Sequence, residues 1–137
     1  MKKEFSTSWK GSSQARKQRK YLANAPIHLR HKLVSANLSK ELRKKYARRS
    51  FPLKKGDDVK VMRGKLKGKT GKVNKVNLRK MKVSIESVQR QKKDGTKVEI
   101  FFSPSKLQVQ ELNLEDKERI KAIEKKIKEK ENASQKK

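Results

Sequence analysis

The sequence predicts a mostly β protein, in which a basic arm with short helices precedes a small β-barrel and a C-terminal α-helix follows it. Apolar residues recur with a period of two between residues 58 and 112, whereas isoleucines recur with helical spacing after residue 113. Residues 1–53 hold only short patterned stretches and much of the excess positive charge. We therefore expect an arm (1–53), a barrel (54–112) and a C-terminal helix with its tail (113–137).

The arm is predicted to contain two short helices. "SSQARKQRKYLANAP" forms the first, with Ser12 or Ser13 as its N-cap and Pro26 at its end. "SKELRKKYA" forms the second, with Ser39 as its N-cap. Between them, "IHLRHKLV" begins with alternating apolar and polar residues, which indicates a strand.

The barrel is predicted to contain about five short strands. Val59 and Val61 share one face of the first strand, and "RGKLKG" bends the chain into the second. Val73 and Val76 are three residues apart rather than two, so a bulge is expected between them. Because so small a sheet cannot leave its edges open and still bury a core, it should curl into a barrel.

The remaining strands are marked by alternation and by turn residues. Asp94-Gly95 predicts a hairpin turn before "TKVEIFF", Pro104 ends that strand, and "KLQVQEL" forms the last one. In "MKVSIES", which comes before the turn, we assign alternate residues to the inside (Met81, Val83, Ile85) and to the outside (Lys82, Ser84, Glu86).

The C-terminal segment is predicted to be an amphipathic helix with Asn113 as its cap. The surface is expected to carry two i,i+4 ion pairs, Glu115–Arg119 and Glu124–Lys128. Whether the helix docks on the barrel, touches a neighbouring protein or projects into solvent stays open. Its apolar stripe consists of Ile120, Ile123 and Ile127.

Charge is the strongest indication of function. The chain has 41 Lys and Arg against 14 Asp and Glu, for a net charge of +27, which favours binding to a polyanion. Residues 1–56 alone carry 17 basic and 2 acidic side chains. There is no cysteine, which excludes disulfides and thiol nucleophiles, and no apolar run has membrane-spanning length. We expect a soluble, intracellular protein.

The glycine-rich stretch "RGKLKGKTGK" has to be compared with nucleotide-binding loops. Its glycines do not fit GxxxxGK[ST] or GxGxxG, and the residues that follow indicate a strand where a phosphate-binding loop needs a helix. The glycines are therefore predicted to form turns, and the lysines to face a phosphate backbone. We assign Gly56, Gly64, Gly68, Gly71 and Gly95 as structural turn glycines.

Catalytic and metal-binding residues are not indicated. His28 and His31 lie in the basic arm with no Asp, Glu or Cys nearby, which makes a poor metal site. Asp57 and Asp58 are adjacent carboxylates at the start of a strand, where turn and capping roles are more common than catalysis or Mg²⁺ binding. We predict no enzyme activity, no metal and no cofactor.

Aromatic residues lie mainly in the arm, among basic ones. Such interleaving suits unpaired RNA, where rings stack on bases and arginine fits phosphates. Trp9 is the better candidate for stacking on a base, while Tyr46 and Phe51 are expected to pack the arm onto the barrel.

The segment "DVKVMRGKLKGKTGKVNKV" resembles the KOW motif of SH3-like barrels, found in ribosomal proteins and in transcription elongation factors of the NusG/Spt5 type. With "LSKELRKKY", "RRS" and "PSK", the chain from about Ser12 to about Leu112 is similar to the large-subunit ribosomal protein twenty-four family, numbered twenty-six in eukaryotes. The resemblance implies a cytoplasmic structural protein that binds large-subunit rRNA early in assembly, near the polypeptide exit tunnel.

The resemblance also implies the partners, namely large-subunit rRNA and neighbouring ribosomal proteins, with no membrane and no obligate homo-oligomer. The alternative is a KOW transcription elongation or antitermination factor that contacts RNA polymerase. That class lacks a long basic extension with "LSKELRKKY". Together with Trp9, the predicted RNA contacts are Arg16, Lys17, Arg19, Lys20, Arg30, His31, Lys32, Arg43, Lys44, Arg48, Arg49, Ser50, Arg63, Lys65, Lys67, Lys69, Lys72, Arg79 and Lys80.

Overall fold

A computed structural model describes residues 5–7, 9 and 11–135. This part of the chain contains four α-helices: α1 (Ala15–Asn24), α2 (Ile27–Leu33), α3 (Lys40–Tyr46) and α4 (Lys117–Gln135). Its strands are β1 (Ser35–Leu38), β2 (Ser50–Pro52), β3 (Asp58–Val61), β4 (Thr70–Asn77), β5 (Lys82–Gln91), β6 (Lys97–Phe102) and β7 (Leu107–Glu111). A short 3-10 turn, Pro104–Lys106, connects β6 to β7.

The seven strands form one mixed sheet in the order β2-β1-β7-β3-β4-β5-β6. Every neighbouring pair is antiparallel except β1 and β7, which run parallel with Asn37 opposite Gln108. This architecture, with its C-terminal helix, is consistent with the predicted small barrel-like fold. The sequence predicts about five strands in the barrel, and these correspond to β3–β7. The two additional strands, β1 and β2, come from the predicted arm.

One continuous core joins these strands to the helices. Ala36 and Leu38 of β1 are buried together with Val59 and Val61 of β3, so part of the predicted arm lies in the same sheet as the predicted barrel. Phe51 and Tyr46 are also buried, as expected for residues that pack the arm onto the sheet. Further core side chains are those of Val34, Leu53, Val73, Val83, Ile85, Val88, Phe102, Leu107, Val109 and Ile123.

The first two helices differ from the prediction. The strand predicted at residues 27–34 is wrong, because α2 occupies this segment. Pro26 is the N-cap of α2, and its carbonyl oxygen accepts hydrogen bonds from the N–H groups of Leu29 (3.0 Å) and Arg30 (2.9 Å). The N-cap of α1 is Gln14 rather than Ser12 or Ser13. Pro26, just before the first turn, favours a helix in this segment. This preference outweighs the short alternation of apolar and polar residues that indicated a strand.

The N-cap predicted for the "SKELRKKYA" helix is confirmed. Ser39 Oγ accepts a hydrogen bond from the backbone N–H of Leu42 at 3.3 Å, which satisfies one of the free donors at the start of α3. The helix ends at Ala47, which has a left-handed conformation (φ 51°). This cap fixes the direction in which α3 leaves β1.

Two predictions about the long strands are confirmed and one is wrong. The pairing of β4 with β5 shifts register between Val73 and Lys75, where the bulge is expected, and Gly95 lies in the turn between β5 and β6. Ser84 is fully buried rather than outside. Its neighbours Val83 and Ile85 are buried as well, so both faces of β5 are covered at this point and simple alternation fails.

The predicted turn glycines fall into two groups. Gly56, Gly64, Gly68 and Gly95 have φ angles of 87°, 95°, 92° and 80°, a region that favours glycine. Gly71 is not in a turn but inside β4. A Cβ atom there would lie 2.3 Å from Oγ of Ser87 on β5, so this position favours glycine because side chains of β5 already occupy the space.

Helix α4 starts later than predicted. Asp116 precedes it, and the Oδ1 atom of Asp116 accepts a hydrogen bond from the N–H of Glu118 at 2.9 Å. Asn113, the predicted cap, instead accepts from the N–H of Glu115 at 3.0 Å, ahead of the helix. Glu115 therefore lies outside α4, and Arg119 pairs elsewhere.

The apolar stripe of α4 docks on the core. Ile123 is buried and Ile127 is partly buried against the core cluster. Among the ion pairs of the described residues, neither Glu115–Arg119 nor Glu124–Lys128 occurs; the only pair within α4 is Lys126–Glu129. A hydrogen bond from Lys126 lowers the pKa of Glu129. The helix is thus held by its buried face.

Candidate nucleic-acid interface

Helix α1 presents basic side chains to solvent. Arg16, Lys17, Arg19 and Lys20 are all exposed. Over residues 5–7, 9 and 11–135, none of them has a carboxylate within ion-pair distance. Since the helix has no acidic residue, its positive charge is uncompensated and available to phosphates.

Two of the predicted RNA-contacting arginines bind the backbone of the protein itself. Arg30 donates from Nε to the carbonyl oxygen of Ala25 at 2.8 Å, and from its terminal nitrogen to Ala23. These bonds satisfy carbonyl groups at the end of α1 and fix the corner between α1 and α2. Arg43 similarly donates from Nε to the carbonyl of Leu38 at 2.9 Å. Both guanidinium groups therefore have a structural role.

An open groove of about 630 Å³ brings together four predicted contacts from different segments. His31 and Lys32 come from α2, Arg48 comes from the segment before β2, and Ser50 is the first residue of β2. The guanidinium of Arg48 lies 5.1 Å from the centroid of the Phe51 ring, which forms part of the floor. We call this feature the α2–β2–α4 groove, because the other wall is formed by α4.

The α4 wall of this groove carries acidic residues. Lys54 forms an ion pair with Asp116, and Glu118 lies beside it. The hydrogen bond from Lys54, together with that from the N–H of Glu118, lowers the pKa of Asp116 below its ordinary value. The positive side of the groove is therefore the α2–β2 side.

Arg119 and Asp57 form a buried ion pair beneath the groove. The guanidinium donates two parallel hydrogen bonds of 2.7 Å to the two carboxylate oxygens, and it also lies 5.1 Å from the Phe51 ring. Asp57 Oδ2 accepts from the N–H of Lys54 at 2.8 Å, and Oδ1 from the N–H of Asn113 at 3.0 Å. Asp57 is thus a structural acceptor, and each of its carboxylate oxygens accepts two hydrogen bonds within the protein.

The loop between β3 and β4 is a tight hairpin. The N–H groups of Lys67 and Gly68 donate to the carbonyls of Gly64 (3.0 Å) and Val61 (2.8 Å), inside the hairpin. These donors are therefore not free to bind a nucleotide phosphate, and a strand rather than a helix follows the loop. The predicted basic contacts of this region are exposed side chains: Arg63, Lys65, Lys67, Lys69 and Lys72.

Other predicted contacts lie apart from the groove. Arg79 and Lys80 are exposed in the turn between β4 and β5, which lies at the opposite end of β4 from the β3–β4 loop. Lys44 is exposed on α3, and Arg49 is exposed just before β2. The predicted set thus covers several faces of the protein rather than one compact site.

Two groups of residues with suitable chemistry were not among the predicted contacts: the cations of the β5–β6 turn, and the rings of Phe5 and Tyr21 beside the predicted contact Trp9. The turn between β5 and β6 carries exposed cations, which the excess charge of residues 57–112 indicates only as a region. In the arm, Trp9 stacks on Tyr21, with ring centroids 4.7 Å apart, and Phe5 lies 4.6 Å from the same ring. The exposed cations of the turn are Arg90, Lys92, Lys93 and Lys97.

Nothing in the described chain resembles a metal site: no group of three or more His, Cys, Asp or Glu residues there is arranged to hold an ion. His28 is exposed on α2, and Asp58 is half-buried in β3. Within the same described residues, no helix combines the length and the apolar character needed to cross a membrane.

Comparison with known proteins identifies the family. The model of the family that comprises ribosomal proteins L26 of eukaryotes and L24 of archaea matches residues 12–126, which include α1–α3, the whole sheet and the first half of α4. A relative from Korarchaeum cryptofilum (strain OPF8), named "Large ribosomal subunit protein uL24", is 46% identical over 110 residues, or 80% of this chain and 84% of the relative. The chain therefore belongs to the family of eukaryotic L26 and archaeal L24 ribosomal proteins.

Proposed function

We propose that this protein is a structural constituent of the large ribosomal subunit that binds large-subunit rRNA. The observation that carries the proposal is the contrast between charge and pairing. The chain has 41 basic residues, yet only Lys54, Arg119 and Lys126 have an ion-pair partner among the described residues. Uncompensated cations on this scale repel one another in the free protein and are stabilised by a polyanion.

In this proposal the sheet is an SH3-like barrel, and β3, the hairpin loop and β4 form its KOW motif. The rRNA contacts come from α1, from the basic side of the α2–β2–α4 groove and from the exposed side chains of the β3–β4 loop. Arg30 and Arg43 act mainly by fixing the backbone. Binding rests on counterion release along an RNA surface that is recognised by shape.

The family likeness supports the finer parts of the proposal. Early binding during subunit assembly and a position near the polypeptide exit tunnel are what the resemblance implies for this chain. The partners are then large-subunit rRNA and neighbouring ribosomal proteins, in the cytoplasm. The protein acts by ordering RNA segments, with no chemical step.

A salt titration of binding tests the mechanism. We expect glutamine at Arg16, Lys17, Arg19 and Lys20 to reduce the slope of log K against log salt by about 3, since each phosphate contact contributes about 0.7–0.9. The probe is a large-subunit rRNA fragment. The control removes four exposed lysines from one helix, α4, and should leave the slope unchanged: Lys117, Lys121, Lys125 and Lys128. Equal slopes for the two variants would contradict a role for α1.

A sedimentation profile separates the ribosomal function from the alternative. We expect the protein to migrate with large subunits after a high-salt wash, because many phosphate contacts dissociate together only slowly. Co-purification with RNA polymerase instead would favour an elongation or antitermination factor. A nucleotide-dependent enzyme predicts saturable ATP or GTP binding that Lys72→Ala abolishes, and we expect no such binding.

A further inference from the structure

The N-terminal aromatic residues and one face of α1 form a second small groove. Lys17, Lys20, Tyr21 and Asn24 recur at helical spacing, so they lie on the same side of α1. Phe5 and Trp9 pack against the Tyr21 ring from the preceding segment. These residues, with Ser6, line an open space of about 300 Å³, which we call the aromatic groove.

We propose that the aromatic groove binds one unpaired nucleotide of an RNA strand, with its base stacked on the aromatic cluster. The site rests on the proposed rRNA-binding function and specifies the ligand. Its volume lies at the lower end of the range for small-ligand sites, about 300–1,000 Å³, which suits a single base and excludes a duplex.

The side chains around the groove suit three features of a nucleotide in a strand: the face of the base, the edge of the base and the flanking phosphates. Trp9 is 36% exposed as a residue, so the contact with Tyr21 leaves part of Trp9 accessible to a base. Asn24, at the end of α1, offers an amide that can both donate to and accept from a base edge. Lys17 and Lys20 are exposed cations that line the same groove, where they are available to the phosphates that flank a stacked base.

Trp9 makes the site directly measurable, because it is the only tryptophan in the chain. We expect a short unpaired oligoadenylate to quench the fluorescence of Trp9 in the full-length protein, since a stacked base quenches an indole. An RNA duplex with the same number of phosphates should bind through the basic residues without quenching. Quenching by both RNAs alike, or by neither, would overturn the proposal.

A pair of matched variants checks the stacking energy. Tyr21→Leu removes the ring beneath Trp9, and we expect it to weaken oligoadenylate binding by a factor on the order of 10 without changing the salt slope. Phe101→Leu removes an aromatic residue on β6 that is 39% exposed and does not line the groove, and it should have no effect. Equal losses for the two variants would refute the site. Trp9→Ala, assayed with labelled RNA, provides an independent variant if Tyr21→Leu reduces the helicity of α1.

The outcomes also separate this site from the function on which it rests. Salt-dependent binding of both RNAs without quenching would reject the aromatic groove and leave the proposed rRNA-binding function intact. Failure of the wild-type protein to bind either RNA would reject both. Lys17→Gln with Lys20→Gln should reduce the salt slope while keeping the quenching at saturation, because the base still stacks.

Discussion

Replacing Arg119 with methionine tests whether a buried ion pair holds α4 on the sheet. The side chain of Arg119 is 3% exposed and that of Asp57 is 0% exposed. The guanidinium also donates to the carbonyl oxygens of Asn113 (2.8 Å) and Pro52 (3.1 Å), so it joins the start of α4 to β2. Methionine fills much of the volume but donates no hydrogen bond.

The expected cost follows from what the substitution leaves behind. Without Arg119, the Asp57 carboxylate stays buried with only the N–H groups of Lys54 and Asn113 as donors. Breaking a buried pair in this way costs about 3–5 kcal/mol. Asp57→Ala should lower the free energy of unfolding by at least as much, because it leaves the buried guanidinium without its carboxylate and also leaves two backbone donors unpaired.

The assay is urea unfolding followed by far-UV circular dichroism at fixed ionic strength. Trp9 is unsuitable as a probe because it lies outside the core cluster. The matched control is Lys54→Met, which breaks the half-exposed Lys54–Asp116 pair in the same region. An exposed pair contributes little to stability, so the control should unfold close to wild type.

Two results would refute the reasoning. If Arg119→Met and Lys54→Met lower the free energy of unfolding equally, the buried pair contributes no more than a surface contact. If the double variant Asp57→Ala/Arg119→Met loses the full sum of the single losses, the two side chains act independently. We expect the double variant to lose less than the sum, because contacting residues are coupled.

Three further predictions concern local contacts, and each is tested by measuring the free energy of unfolding. Gly71→Ala should destabilise the protein by about 1–3 kcal/mol, because the added Cβ would lie 2.3 Å from Ser87 Oγ. Adding Ser87→Ala should restore part of the lost stability. Ser39→Ala should cost about 1 kcal/mol through the lost cap, whereas Ser105→Ala, exposed in the 3-10 turn, should cost little. The hydrogen bond from Lys54 lowers the pKa of Asp116, so this pair stabilises the fold above the ordinary pKa of 3.8. The small difference in free energy of unfolding between wild type and Lys54→Met should therefore vanish as the pH falls through the lowered pKa.

The predictable parts of the fold are those set by local pattern. The strands β3 to β7 follow from alternation and turn residues, and the cap of α3 follows from one serine placed before a helical stretch. The bulge near Val73 could be read from a spacing of three between valines. Each of these features depends on residues that are close in sequence.

The parts that could not be predicted depend on distant contacts. Strand β1 has four residues, and it is stabilised by pairing with β7, about 70 positions later. Its alternation of buried Ala36 and Leu38 was present in the sequence but too short to distinguish from chance. Arg119 fits a surface i,i+4 pair equally well, and only the packing of α4 brings it to Asp57.

The same dependence on distant contacts applies to the candidate site. Basic composition predicts which residues are available to RNA, but Arg30 and Arg43 show that an arginine in a basic segment can bind the backbone instead. No periodicity separates these two from Arg16 or Arg19. The difference arises only when the carbonyl at the end of a neighbouring element lies within reach of the guanidinium.

The buried ion pair also bears on how the α2–β2–α4 groove is formed. The Phe51 ring lies 5.1 Å from the guanidinium of Arg119 and 5.1 Å from that of Arg48. Arg119 is fixed by Asp57, whereas Arg48 is half-exposed in the groove. A ring held by the first guanidinium therefore restricts the second, so under the proposed function Arg48 would lose less side-chain entropy on binding a phosphate. If the proposed function holds, we expect docking of α4 to contribute to RNA binding, although the surface of this helix is nearly balanced in charge.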